Sequence, residues 1–297
     1  MSAALVGFVP QCLDLWLLPI AARAMTYPII MVHVGFDAAT EARVRLATGL
    51  ADRFESSLIG VAACAPHPPL VAGGIATASR STQDNLDELK VAVDQREHLF
   101  RSIAEKGSRR VEWRSALDPP TEFVTRESCA ADLIIIGLEH LPRDPFRSLD
   151  PGALVLRVGR PVLMVPNGLD GLRANRIAVA WKDTREARRA LSDSLPFLHN
   201  AERVFLVEVY AKHEAEYVQY SLSNVMNYLS RHRIATAAAL VLQAGSATDE
   251  LLRIVRTEDI DLLVAGAYGH SRLGEWVFGG VTWGLLHKSP VCCLFSH

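Results

Sequence analysis

Four glycines near the end of the chain have a spacing that could do chemistry: Gly266, Gly269, Gly279 and Gly280. The first two follow the apolar run Leu262–Ala265, where bare backbone can turn tightly and approach a ligand with no Cβ in the way. Gly279 and Gly280 open a segment of helical character running to about His287. A helix start preceded by glycine presents N–H groups and a positive dipole end, the combination that holds a phosphate. His270, Ser271 and Arg272 lie between the two pairs, and Thr282 lies just beyond them. Each carries a group able to reach an anion, and each is also common on a solvated loop.

Such a loop needs a sheet to hold it. Short continuous runs rich in Val, Ile and Leu read as strands of a parallel sheet buried on both faces. In the first half these are Ile29–Val34, Leu58–Ala63, Val111–Arg114, Leu133–Ile136 and Pro161–Val165; in the second, Arg176–Trp181, Arg203–Val209, Ala237–Leu242, Leu262–Ala265 and Pro290–Phe295. Helical stretches such as Thr40–Phe54 and Thr184–Leu198 lie between them, and the charged stretch Gln83–Lys106 reads as a helix with one solvated face. Alternating strand and helix predicts an open α/β sheet covered on both sides.

The order repeats. Asp132-Leu133-Ile134-Ile135-Ile136-Gly137 matches Asp261-Leu262-Leu263-Val264-Ala265-Gly266, and Arg160-Pro161-Val162 matches Ser289-Pro290-Val291, both at an offset of 129 residues. Ile30–Val34 pairs with Ile177–Trp181 at an offset of 147, so the first copy carries an insertion, assigned to a long loop at Pro66–Ser79. Asn167–Asn175 reads as the linker. In a five-stranded sheet of order 3-2-1-4-5, strand 4 borders strand 1 at the switch point where ligands collect, and the glycine loop follows strand 4.

The pattern G-x2-G-x9-G, between a D-L-(apolar)3-G strand and a P-V-(apolar) strand, resembles that of universal stress proteins. The resemblance runs from Met25 to His297 as two copies. It implies two tandem Rossmann-like α/β domains, each a five-stranded parallel sheet with helices on both faces. The boundaries expected are 1–24 as an extension outside the fold, 25–168 with a degenerate loop, and 169–297 with the G-x2-G-x9-G-G loop. The implied function is a stress-response protein that binds adenine nucleotide, ATP with or without magnesium, in its C-terminal domain only. Gly266, Gly269, His270, Arg272, Gly279, Gly280 and Thr282 are its implied phosphate contacts. Asp183, one place beyond where the family carries an acid after strand 1, and Val209, near the end of strand 2, fall on the adenosine side; Lys182 stands where that acid belongs. The family has Ser or Thr after the third glycine, whereas Gly280 stands here, which leaves Thr282 to supply a hydroxyl.

The first copy departs further. At the 129-residue offset Gly269 becomes His140, Gly279 becomes Asp150, Gly280 becomes Pro151 and Thr282 becomes Ala153; Gly137 alone survives. A carboxylate in the place of a phosphate, and a proline that removes an N–H, both oppose anion binding. The first copy is therefore expected not to bind ATP.

Composition narrows the field. The net charge of -2 gives no electrostatic reason to expect nucleic acid or an anionic membrane as partner. Five cysteines without a C-x-x-C pair, and histidines without ligand spacing, suggest neither a disulfide framework nor a metal. The neighbours Cys292 and Cys293 should face opposite sides of a strand. Leu15–Ala22 is too short to span a bilayer, and Met25 reads as a start, so a cytoplasmic protein is expected. His33 reads as a structural histidine, and Trp276 and Trp283 as residues packed in a core or an interface. The resemblance also implies that the two domains pair through their fifth strands as a pseudo-dimer, with a homodimer as a further step. Two other readings stay open: a nucleotide-free interaction scaffold and a slow ATPase, the latter disfavoured because no residue stands out as a base for water.

Overall fold

A computed structural model of the chain describes residues 26–67, 75–106, 110–138, 144–242, 244–269 and 280–297, with the side chains of 75–84, 239, 240 and 242 outside that description. The segment 1–24, His140, His270, Ser271, Arg272, Trp276 and Gly279 therefore lie outside the described residues.

The ten apolar runs form ten strands: β1 (Ile29–His33), β2 (Ser57–Ala63), β3 (Val111–Ala116), β4 (Leu133–Gly137), β5 (Val162–Val165), β6 (Arg176–Ala180), β7 (Arg203–Tyr210), β8 (Thr236–Leu242), β9 (Leu262–Gly266) and β10 (Cys292–Ser296). They join into one sheet of order β3-β2-β1-β4-β5-β10-β9-β6-β7-β8. Each half thus has the order 3-2-1-4-5, with every neighbour parallel. The halves meet where β5 and β10 pair antiparallel, Val162 opposite Phe295, Leu163 opposite Leu294 and Met164 opposite Cys293. All six side chains are fully buried, so an edge that would otherwise expose unpaired N–H and C=O groups is closed by the other half.

The shared Asp of the repeat has a structural reason. Asp132 accepts from the Ile29 N–H at 2.9 Å, and Asp261 accepts from the Arg176 N–H at 3.1 Å and the Asn175 N–H at 2.9 Å. In both copies a carboxylate just before strand 4 satisfies the amide that starts strand 1 and pins the two strands at the switch point.

Helices cover both faces: α1 (Thr40–Phe54), α2 (Ile75–Ala104), α3 (Pro120–Glu127), α4 (Pro151–Arg157), α5 (Arg185–Asp193), α6 (Leu195–Leu198), α7 (Ala215–Arg231), α8 (Ala247–Thr257) and α9 (Gly280–Lys288). One apolar core lies on each face, and both run across the two halves. On one face Tyr27 and Phe54 meet Phe197 with ring centroids 5.2 to 5.4 Å apart; such pairs contribute about 0.5–1.5 kcal/mol each beyond their buried area. Cys292 and Cys293 do point to opposite faces, one into each core.

Three expectations need correction. The stretch Pro66–Ser79 is not loop throughout, because α2 begins at Ile75, immediately after Gly73-Gly74; beyond that pair no Gly or Pro interrupts the helix. The stretch Thr184–Leu198 is two helices, since Pro196 cannot continue the first and sits in the opening turn of the second. Of the two settings expected for Trp283, the core is the one ruled out: it is 46% exposed and stacks on His287 with centroids 4.2 Å apart. Among the described residues, no helix is long and apolar enough to cross a membrane.

Candidate functional site

A cavity of about 360 Å³ opens at the carboxyl ends of β6, β7 and β9. Its floor is apolar, with Ala180, Val207, Val209 and Ala265 from the strands. Its rim is built from the first turns of three helices: Thr184 and Ala187 from α5, Ala247 from α8, and Gly280, Val281 and Thr282 from α9. Each α-helix starts with four amides that lack an intrahelical partner. Thr184 caps α5 by accepting from the Ala187 N–H at 3.3 Å, and Ser246 caps α8 by accepting from the Asp249 N–H at 3.1 Å. Three positive dipole ends therefore face one space above the sheet. Lys182 supplies the side-chain cation of the lining, its Nζ 3.1 Å from Glu214.

Of the residues picked out by sequence, Gly266, Gly269, Gly280, Thr282 and Val209 come together in this cavity. They do different work. A Cβ on Gly266 would lie 2.5 Å from the Ala187 nitrogen and 2.6 Å from the Glu186 carbonyl carbon, so this glycine lets β9 pass close beneath α5. On Gly269 a Cβ would meet Glu186 Oε2 at 3.1 Å and Thr184 Oγ1 at 3.2 Å. Glu186 is buried; despite that desolvation, its hydrogen bonds to Arg185, its own amide and Thr184 hold its carboxyl below the usual range. Gly280 is open, since a Cβ there meets no described atom within 4 Å. Thr282 is buried, and its Oγ1 accepts from the Tyr268 N–H at 3.1 Å, so the hydroxyl fixes the loop from inside. The described loop between the strand and that hydroxyl is tight, Tyr268 having a left-handed φ of 58°.

Asp183 does not join this group. It lines a separate groove of about 380 Å³ between α5 and α7, with Trp181, Leu191, Tyr217, Tyr220 and Tyr228 among its walls. There Asp183 accepts from Tyr217 Oη at 2.5 Å and from Arg188, and these bonds hold its carboxyl below the usual range. Lys182 turns into the cavity in its place. Sequence reasoning missed Thr184, Ala187 and Ala247 as lining residues; the available signal was the capping residue, Thr184 or Ser246, ahead of each helix.

At the matching glycine of the N-terminal half, the room beside the strand is taken by a side chain. A Cβ on Gly137 would lie 1.6 Å from Arg43 Nη1. Arg43, 2% exposed, donates from Nε to the His33 carbonyl at 2.9 Å and from Nη2 to Asp37 at 2.7 Å and Thr40 at 2.9 Å. At the start of α4, Asp150 Oδ1 accepts from the Gly152 N–H at 2.9 Å and the Ala153 N–H at 3.2 Å. By the 129-residue offset these amides match those of Val281 and Thr282. An anion does sit on this helix turn in the first copy, and it is the chain's own carboxylate.

Residues 174–296 match the profile of the Universal stress protein family. No curated protein matches the sequence. Among solved structures, a universal stress protein from Archaeoglobus fulgidus DSM 4304 aligns over 90% of this chain and 95% of its own at 11% identity, with a TM-score of 0.65. A functionally unknown protein from Pseudomonas aeruginosa PAO1 aligns over 91% of this chain and 92% of its own at 15% identity, with a TM-score of 0.53. These likenesses carry the fold across both halves, and by its sequence the C-terminal half of the chain, residues 174–296, belongs to the universal stress protein family.

Proposed function

We propose that this chain is a stress-response protein that binds an adenine nucleotide, ATP alone or with magnesium, in its C-terminal half only. The reading takes 25–168 and 169–297 as its two domains. The observation that carries it is the convergence of three helix starts and Lys182 on one cavity with an apolar floor. The dipole ends and the ammonium suit the phosphates, and Val207, Val209 and Ala180 suit a flat apolar base. Gly280 leaves room for the phosphates to approach backbone, Gly269 lets the loop pass close to Thr184 and Glu186, and Thr282 orders the loop. Gly279, His270 and Arg272 complete the phosphate side in this reading, while Asp183 does not touch the ligand.

Isothermal titration with MgATP tests it, using Gly280→Asp as the counterpart. A side chain there meets no described atom within 4 Å of its Cβ, and the substitution sets a carboxylate in the first turn of α9, one place beyond the position that matches Asp150. The wild-type protein should bind, and the variant should bind at least about 100-fold more weakly, equivalent to about 2.7 kcal/mol. No heat with the wild-type protein, or equal affinities, overturns the reading. Turnover well above background at saturating ATP would move the assignment to a slow ATPase.

A further inference from the structure

The two halves touch at the cavity as well as along β5 and β10. Tyr268 lines the cavity from the C-terminal half. Its phenol reaches across to the start of α4 in the N-terminal half, where a Cβ on Gly152 would lie 2.8 Å from Tyr268 Oη and 3.4 Å from Asp150 Oδ1. Gly152 is there to leave that space, and the helix turn it belongs to is the one locked by Asp150. Nearby, α4 packs on α9, whose first turn is also the cavity rim.

Tyr268 needs such a seat. Its φ of 58° is a left-handed conformation that a side chain with a Cβ disfavours. The Thr282 hydroxyl holds its amide at 3.1 Å, and its phenol oxygen lies against the Gly152 surface. Take away the second contact, and the backbone between Gly266 and Gly269 is released toward ordinary conformations, moving the cavity wall.

We propose that Tyr268, seated on Gly152, is a positioning residue through which the N-terminal half sets the anion affinity of the C-terminal cavity. The degenerate half then has a function: with its own helix start permanently occupied by Asp150, α4 is a fixed platform against which the binding loop is braced. This rests on the nucleotide reading above, but its first readout does not.

The test compares Gly152→Val, Tyr268→Gly and the double variant in the full chain. Gly152 lies outside the cavity, and valine there displaces the phenol directly. Amide hydrogen exchange at Tyr268, in the absence of any ligand, should quicken at least about tenfold in Gly152→Val while the strand amides of β9 keep their protection. Unchanged exchange at Tyr268 overturns the proposal whether or not ATP binds. With MgATP as probe, Gly152→Val should weaken binding about tenfold when Tyr268 is present and less than about twofold in the Tyr268→Gly background, where no phenol is left to displace. Equal weakening in both backgrounds also overturns it, since that is what a general loss of packing at α4 gives. Absence of ATP binding in the wild-type protein counts against the nucleotide reading alone, and the exchange result still decides the bracing.

Discussion

The two halves of this molecule have the same strand order and the same carboxylate tie between strands 1 and 4, yet they treat the space above the switch point in opposite ways. In the N-terminal half the fourth-strand glycine, Gly137, makes room for the guanidinium of Arg43, and Asp150 sits on the opening amides of α4. In the C-terminal half the matching Gly266 makes room for the backbone of α5, and the start of α9 opens on a cavity. One copy closes the start of its last helix with its own carboxylate; the other sets the start of its last helix on a space lined by Lys182. A repeat can therefore preserve a strand order while closing one helix start with a side chain, and the change needs few positions because the helix start belongs to the fold.

The comparison breaks most readily at Arg43. Its charge is buried and tied to Asp37, Thr40 and the His33 carbonyl. Arg43→Ala should destabilise the protein by about 3–5 kcal/mol, the range for breaking a buried pair. Gly137→Ala should be similarly severe alone, because its methyl would overlap the guanidinium, yet should add less than about 1 kcal/mol in the Arg43→Ala background. Urea unfolding of the four proteins measures this cycle. Additive losses would mean that Gly137 serves some purpose other than housing Arg43.

The halves should also respond to pH in opposite directions. His33 is 2% exposed, with no described partner for Nε2; burial, then Arg43, pushes its pKa down to about 3, with Asp37 opposing. The unfolded chain takes up this proton near 6.5 and the folded one does not. Stability contributed by neutral His33 is therefore full above 6.5 and falls as pH drops toward 3, by at most about 1.4 kcal/mol per pH unit. Glu208 on β7 is 1% exposed, with no described partner for Oε2; burial raises its pKa to about 7, Lys182 opposing, and Glu214 and Asp183 adding to the rise. Here the folded state holds the proton and the unfolded chain releases it near 4.5, so stability falls as pH rises from 4.5 through 7. Melting temperature against pH should flatten on the acid side in His33→Asn and on the neutral side in Glu208→Gln. A Glu208→Gln profile parallel to wild type between pH 5 and 7 would show that the folded protein does not retain this proton.

Much of this was legible in the sequence. Strands buried on both faces leave continuous apolar runs, so all ten were readable, and two fixed offsets exposed the repeat. Asp150 and Pro151 were readable as losses because a charge and a missing N–H act locally. The site was legible only where its residues are near in sequence. Asp183 was assigned to the adenosine side, but whether it or Lys182 turns into the cavity depends on Tyr217 and Arg188, which no spacing announces. Gly266 looks like a phosphate glycine in the motif, yet its contact is with α5, some 80 residues earlier in the chain. The cross-half seat of Tyr268 on Gly152 was invisible for the same reason.

The smallest effect expected separates occupancy from capacity in the first copy. Asp150→Ala removes an N-cap that accepts two hydrogen bonds, and loss of such a cap costs about 1 kcal/mol. It also leaves the Gly152 and Ala153 amides without their carboxylate. If that carboxylate alone kept anions away, the variant should acquire a second ATP site. It should not, because Pro151 still contributes no N–H and Arg43 still fills the room above Gly137. The expected result is a small drop in unfolding free energy with an unchanged number of nucleotides bound per chain in titration. A second equivalent of nucleotide would show instead that the N-terminal half is a working site held shut by one residue.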